Sequence, residues 1–339
     1  MAPEAGRLFP KFVDADDGLH PDPASPGYWE WWYLDADFTN GYIFVTTYHF
    51  GSPHTPEPNA RFIEFFIYDP QWNRHMIRKR FALDDCFASE ERCDVKMGGN
   101  TLKGTVPRYE LHFAEGNLGA DLVFESMVEP YVPHNSSRGE PPPPELAGGV
   151  GWVVAMPRAK VKGTLTVDGQ KVPVEGAGYH DHNWASGTAG SAGGGVGATG
   201  WLWGRNHFGR HTLVWSAGSV GGRVIIGRDD NIIAISDRAT STTADFSSEG
   251  FPVKYPRAIE LNFNEPGVIT GGMKFRLLKV LDFMDLLSRL KPFQRWYTHG
   301  YVRQPAYFRY MLDGEANLEI KGETVKYKGN IWFEHMKLK

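Results

Sequence analysis

Gly176-Ala177-Gly178-Tyr179-His180-Asp181-His182-Asn183-Trp184 is the stretch on which the reading of this chain turns. Small residues lead into six consecutive polar or aromatic side chains. In an extended chain alternate side chains face opposite sides. Tyr179, Asp181 and Asn183 then share one face, and His180, His182 and Trp184 share the other. Asp and Asn are poor strand formers, so propensity did not select them. One face gathers a phenol, a carboxylate and an amide, a set suited to proton handling and hydrogen bonding. The plainer reading is a polar strand end whose side chains satisfy loop backbone groups.

The flanking sequence is β-like. Trp29-Glu30-Trp31-Trp32-Tyr33-Leu34-Asp35 alternates Trp29, Trp31, Tyr33 and Asp35 against Glu30, Trp32 and Leu34. One face can be core and the other the wall of a pocket, although all three Trp can equally be core. Short β-branched and aromatic runs recur along the whole chain. Asn40-Gly41, Asp168-Gly169, Asp313-Gly314 and Lys321-Gly322 read as turns between them. Leu281, Met284, Leu287 and Leu290 have the spacing of a short amphipathic helix ended by Pro292. The expectation is an all-β chain of two antiparallel barrels or sandwiches packed side by side, with one short helix near 281–290.

Four segments follow from this. Residues 1–27 form an arm rich in Pro, Gly and Asp, and 28–185 a first β domain. The glycine-rich stretch 186–200 is a linker or a lid over the site, and 201–339 is a second β domain.

Composition narrows the function. Aromatic residues make up 14% of the 339 residues, with 11 Trp, which suits β-structure and the walls of an apolar ligand site. A net charge of -4 without a basic block gives nucleic-acid binding little support. No segment has the apolar length of a signal peptide or of a membrane span of about 18 residues, so a cytoplasmic protein is expected. Cys86 and Cys93 have no zinc-like spacing and read as free thiols. No dinucleotide fingerprint, phosphate loop or nucleophile elbow is visible. No cofactor is expected, and any chemistry must come from side chains. His180 and His182 could chelate a metal with His207 or His211 as a third ligand. Two His without a defined third are unselective, and no metal is assigned.

Several of these motifs together resemble a known group. Trp29-Glu30-Trp31-Trp32-Tyr33, Gly151-Trp152, Pro157-Arg158, the Gly178–Trp184 stretch, Trp201-Leu202-Trp203-Gly204 and Tyr307-Phe308-Arg309-Tyr310 resemble the lipocalin-like superfamily of carotenoid 1,2-hydratases. The superfamily also includes related intramolecular Diels–Alderases that form decalins. The resemblance covers about residues 25 to 336. It implies two lipocalin-like barrels, an apolar polyene, isoprenoid or polyketide-like substrate and no cofactor. Among the hydratases the Tyr-x-Asp pair carries protonation, which here falls on Tyr179 and Asp181. Those hydratases place a His two residues before the Trp matching Trp152, where this chain has Val150.

The reading adopted is a cofactor-independent cyclase or isomerase that folds its substrate into a reactive conformer. Tyr179, Asp181 and Asn183 are the candidate catalytic residues. Trp31, Tyr33, Trp152, His182, Trp201, Trp203 and His207 are the candidate substrate-binding residues. A hydratase using Asp181 as the acid and a non-catalytic carrier of an apolar ligand are the alternatives.

Overall fold

The structure, a computed structural model, describes residues 8–20, 28–51, 60–133, 150–185, 200–218, 221–285 and 306–337. The chain divides into two compact units, Met1–Gly195 and Val196–Lys339. Most of 186–200 and most of 130–149 lie outside the described residues, so the expected linker or lid does too.

The first unit contains β1 (Trp29–Phe38), β2 (Ile43–Phe50), β3 (Arg61–Tyr68), β4 (Arg74–Phe81), β5 (Cys86–Ala88), β6 (Asp94–Met97), β7 (Asn100–Thr105), β8 (Arg108–Glu115), β9 (Leu118–Ser126), β10 (Val150–Val167) and β11 (Gln170–Ala185). The second contains β12 (Gly200–Phe208), β13 (His211–Ala217), β14 (Gly222–Arg228), β15 (Asn231–Ser236), β16 (Ala239–Ser247), β17 (Tyr255–Glu265), β18 (Ile269–Asp285), β19 (Ala306–Ile320) and β20 (Glu323–Lys337). Both sheets follow one plan. Neighbours in sequence pair antiparallel, and the first strand of each unit pairs with its last, β1 with β11 and β12 with β20. The single break in the order falls between β4 and β5 in one sheet and between β15 and β16 in the other. A sheet closed in this way leaves few edges open to association. The fold is all-β and lipocalin-like.

Turn chemistry explains the hairpins. Asp168 and Gly169 both have positive φ (50° and 79°), as do Lys321 and Gly322 (49° and 82°), the geometry of tight two-residue hairpins. Inside the first barrel the Phe65 and Phe113 rings stack at 3.9 Å, joining β3 to β8 across the interior. In the second, fully buried Trp215 packs edge-on against Phe333 at 5.3 Å and donates its indole N–H to Asn206 Oδ1 at 2.8 Å.

Two sequence expectations are corrected. Residues 281–285 are not helical but form the end of β18, and 286–290 lie outside the described residues. The pairing of β18 with β19 slips between Leu277 and Lys279 and again between Val280 and Asp282. Each slip shifts the alternation by a residue, so the apolar residues there do not follow strict strand periodicity. Asp313-Gly314 is not a turn, because β19 runs through it. A Cβ at Gly314 would press on Ile331 and Phe275 at 3.0 and 3.2 Å, so this glycine marks a close approach within a strand. β10 is continuous through Pro157, where the pairing with β11 shifts register on either side of Met156. Proline is tolerated at such an irregularity because no ladder bond is lost. Among the described residues no helix is long and apolar enough to cross a membrane. Cys86 and Cys93 are free thiols.

Phe65→Ala should cost about 3–5 kcal/mol in denaturant unfolding, the range for a large ring removed from a packed core. A loss below about 1 kcal/mol would contradict the cross-barrel stack. In the second unit, burial and then Lys337 pull His335 down to about 4. Its contribution to stability is present above pH 6.5 and is lost as pH falls from there toward 4. The imidazole keeps a small exposed edge, so the loss is at most about 3 kcal/mol. His335→Gln should flatten the acid limb of the stability–pH curve over that window.

Candidate functional site

β1 and β11 pair in a fixed register. Glu30 lies opposite Trp184, Trp31 opposite Asn183, Trp32 opposite His182, Tyr33 opposite Asp181 and Asp35 opposite Tyr179. The motif at 179–184 is therefore extended, and its two sets of side chains face opposite sides of the sheet, as the alternation predicted.

The outward face is organised by Asp181. Its Oδ2 accepts from the Tyr179 hydroxyl at 2.7 Å and from the Trp152 indole N–H at 2.8 Å. Its Oδ1 accepts from the Asn183 amide at 2.8 Å. Tyr179 is fully buried and Asp181 nearly so, whereas Asn183 and Trp152 are half-buried. Burial first, then the Asp181 carboxylate, pushes the Tyr179 phenol well above its ordinary range. It stays protonated, and its hydroxyl is committed to Asp181. Aromatic rings crowd the same face. Tyr33 meets Tyr179 edge-on at 6.2 Å, Trp31 stacks on Trp29 at 4.3 Å, and Trp152 meets Tyr131 at 6.4 Å. The face thus brings together Tyr179, Asp181, Asn183, Trp31, Tyr33 and Trp152.

His182 lies on the other face, inside the barrel end. There a buried polar cluster joins the arm to the sheet. A 3-10 turn at Asp14–Asp17 carries Asp17 inward. Asp17 Oδ2 accepts from the Tyr109 hydroxyl at 2.7 Å and faces His180 Nε2 at 2.9 Å, while the Asp17 carbonyl accepts from Trp32 Nε1 at 3.0 Å. His180 Nδ1 points at the Tyr33 carbonyl at 2.9 Å. Both nitrogens of His180 therefore face acceptors, the arrangement of an imidazolium. Burial works against that charge, but Asp17 and the Tyr33 carbonyl outweigh it, and the net shift is upward. His182 Nε2 is 2.6 Å from Glu30 Oε1, and His20 Nδ1 is 3.0 Å from the same oxygen. Burial, then the charges of His20 and His180, holds His182 well below its usual value. Indole rings enclose this pair: Trp32 stacks on His182 at 4.4 Å and Trp184 on His20 at 3.5 Å. Gly151 makes room for this, because a Cβ there would overlap the Trp184 ring.

Trp201, Trp203 and His207 belong to β12 in the second unit. Trp201 pairs across to Met336 and Trp203 to Glu334. His207 Nε2 accepts from Arg205 Nη1 at 2.9 Å. On the same sheet Arg309 bonds Glu334 at 2.9 Å and Tyr307 at 2.8 Å, and the guanidiniums of Arg205 and Arg309 lie 5.8 and 5.9 Å from the Trp332 ring.

Sequence reasoning missed Asp17, His20 and Tyr109. Only Glu30 left a signal, as a carboxylate on the face opposite the expected pocket wall. His180 and His182 do share a face, but the groups that meet them come from the arm, β1 and β8, while His207 and His211 sit in the other unit.

Asp17→Asn should strand the His180 charge and cost about 3–5 kcal/mol. Tyr109→Phe removes one donor and should cost about 1–3 kcal/mol. Equal losses in denaturant unfolding would contradict the ion pair.

No protein-family model matches the chain. Residues equal to 35% of it are 27% identical, over 122 positions, to the quinolone epoxide rearrangement protein PenF of Penicillium thymicola. The match spans 32% of that relative, about a third of its length. A candidate AttH protein, NE1406 of Nitrosomonas europaea, has a similar structure, with a TM-score of 0.66, 15% identity and 99% of each chain covered. CghA solved with Sch210972 gives a TM-score of 0.61 at 13% identity, over 97% of this chain and 96% of that one. The chain therefore has the lipocalin-like all-β fold of NE1406 and CghA, and the resemblance drawn from its sequence holds at the level of the fold.

Proposed function

We propose that this chain is a cofactor-independent enzyme of the cyclase or isomerase type. It binds an apolar small molecule against the outward face of β1, β10 and β11 in the first unit. The observation that carries the reading is Asp181, held through both oxygens by three donors on a face crowded with aromatic rings. A group fixed in this way is preorganised, and preorganisation lowers a barrier without reorganisation during the reaction. The fold supports the reading, since CghA is known with Sch210972. So does the partial likeness to PenF, a quinolone epoxide rearrangement protein.

The roles follow from exposure. Asn183 keeps a second amide hydrogen beyond the one given to Asp181, and it is half-buried. It is the donor positioned to bind a substrate carbonyl. Trp31, Tyr33 and Trp152 provide flat apolar walls. Tyr179 acts through Asp181 rather than on the substrate, because its hydroxyl is buried and already committed. The hydratase reading draws less support. An acid that protonates an olefin must hold a proton to give, and Asp181 is surrounded by donors.

Incubating the purified protein with an extract of its source cells in deuterated water, followed by mass spectrometry, tests this. The expected product is isobaric with its precursor and carries no solvent deuterium on carbon. Asn183→Ala should slow its formation by about 10–100-fold, or about 1.4–2.7 kcal/mol, and Tyr179→Phe by less. A product heavier by one water with deuterium on carbon would replace the proposal with the hydratase. Small molecules returned unchanged would leave a binding protein.

A further inference from the structure

The cluster inside the first barrel has no part in the proposed chemistry. It nevertheless buries three imidazoles, two carboxylates, a thiol and a phenol in one place. Two groups of potential ligand atoms occur there, Asp17 with Cys93 and His180, and His20 with Glu30 and His182, each with all its atoms within 4.8 Å of one another. The first group is already satisfied as a hydrogen-bonded set. Both nitrogens of His180 face acceptors, Asp17 also takes the Tyr109 proton, and burial keeps the Cys93 thiol protonated.

The second group is different. A neutral imidazole carries one proton. If it sits on His182 Nδ1, it faces Asp17 Oδ1 at 3.4 Å. The bare Nε2 then confronts Glu30 Oε1 at 2.6 Å with no hydrogen between them. If it sits on Nε2, the bare Nδ1 confronts Asp17 Oδ1 instead. A second proton on His182 would satisfy both contacts. It would also place a cation within 5.1 Å of the His20 ring, in a site walled by indoles.

We propose that His182 Nε2, Glu30 Oε1 and His20 Nδ1 bind one divalent transition-metal ion of the zinc type. The ion takes the place of the shared protons on Glu30. His182 Nδ1–H then donates toward Asp17, the carboxylate–histidine support that metal-bound imidazoles usually have. Two imidazoles and a carboxylate form a donor set that zinc accepts with a fourth position left for water. Bonds of about 2.0–2.1 Å in tetrahedral geometry need donors roughly 3.3 Å apart. His182 and His20 must each move outward from Glu30 by less than an ångström, and their own donor atoms, within 4.8 Å of each other, must come to the same spacing. His20 is held by its backbone N–H on Glu30 Oε1 at 3.0 Å and by its stack on Trp184, so its ring already lies close to the required position. The ion would pin the arm to β1 and β11, closing the barrel end on the face opposite the Tyr179–Asp181–Asn183 group.

The test uses the full chain without an affinity tag, stripped with a chelator and titrated with Co²⁺ and then Zn²⁺. The expected result is one equivalent of Co²⁺ with the visible absorption of a low-coordinate site, displaced by Zn²⁺, and a rise in melting temperature with either ion. His20→Ala should weaken Co²⁺ binding by at least roughly 100-fold, beyond the 10–100-fold loss typical of an outer partner. Glu30→Gln should do the same where it folds. Asn183→Ala, on the other face of β11, should bind as the parent does. If the folded parent chain takes up neither ion stoichiometrically, the cluster is a hydrogen-bonded staple alone and the proposal is overturned. Uptake that His20→Ala leaves unchanged overturns it equally.

Discussion

The pairing of β1 with β11 is the constraint on which the rest of the first unit depends. It joins the first strand to the last and so closes the meander. It also sets, in one register, which side chains meet. A slip of one residue would send Asp181 into the barrel and His180 and His182 out of it. Two environments of opposite character lie back to back on this pair of strands, and neither can move without the other.

The cost of the inner environment is substantial. Taking Asp17, Glu30 and their histidines out of water costs several kcal/mol per ion, recovered only where geometry and hydrogen bonding are good. The structure meets that condition by bringing a short arm segment back over the barrel end, so that Asp17 reaches β1, β8 and β11 at once. The arm is thus part of the barrel's packing. The indoles of Trp32 and Trp184 complete it as flat walls, and Gly151 leaves the space that one of them needs.

The outer environment spends its polar groups differently. Tyr179 and Trp152 fix one oxygen of Asp181, and Asn183 fixes the other. Exposure grades outward from the buried phenol to the half-buried amide and indole. Under the proposed function that gradient separates groups that hold the site from groups exposed to a ligand, a distinction that residue type alone does not make.

The sequence by itself determined the β class, the turns at Asn40-Gly41, Asp168-Gly169 and Lys321-Gly322 and the division of residues 179–184 between two faces, because alternation and turn preference are local properties of the chain. It misread residues 281–285 and Asp313-Gly314 because strand irregularities and close side-chain contacts override local patterns, and those depend on the neighbouring strand. β4, with Arg74, Arg78, Lys79 and Arg80, carried too little apolar alternation to be recognised. Only the tertiary structure decided what His180 and His182 meet. Their partners Asp17 and Glu30 lie 163 and 152 residues away, and contacts over such distances are set by strand register and barrel closure, which no local stretch encodes.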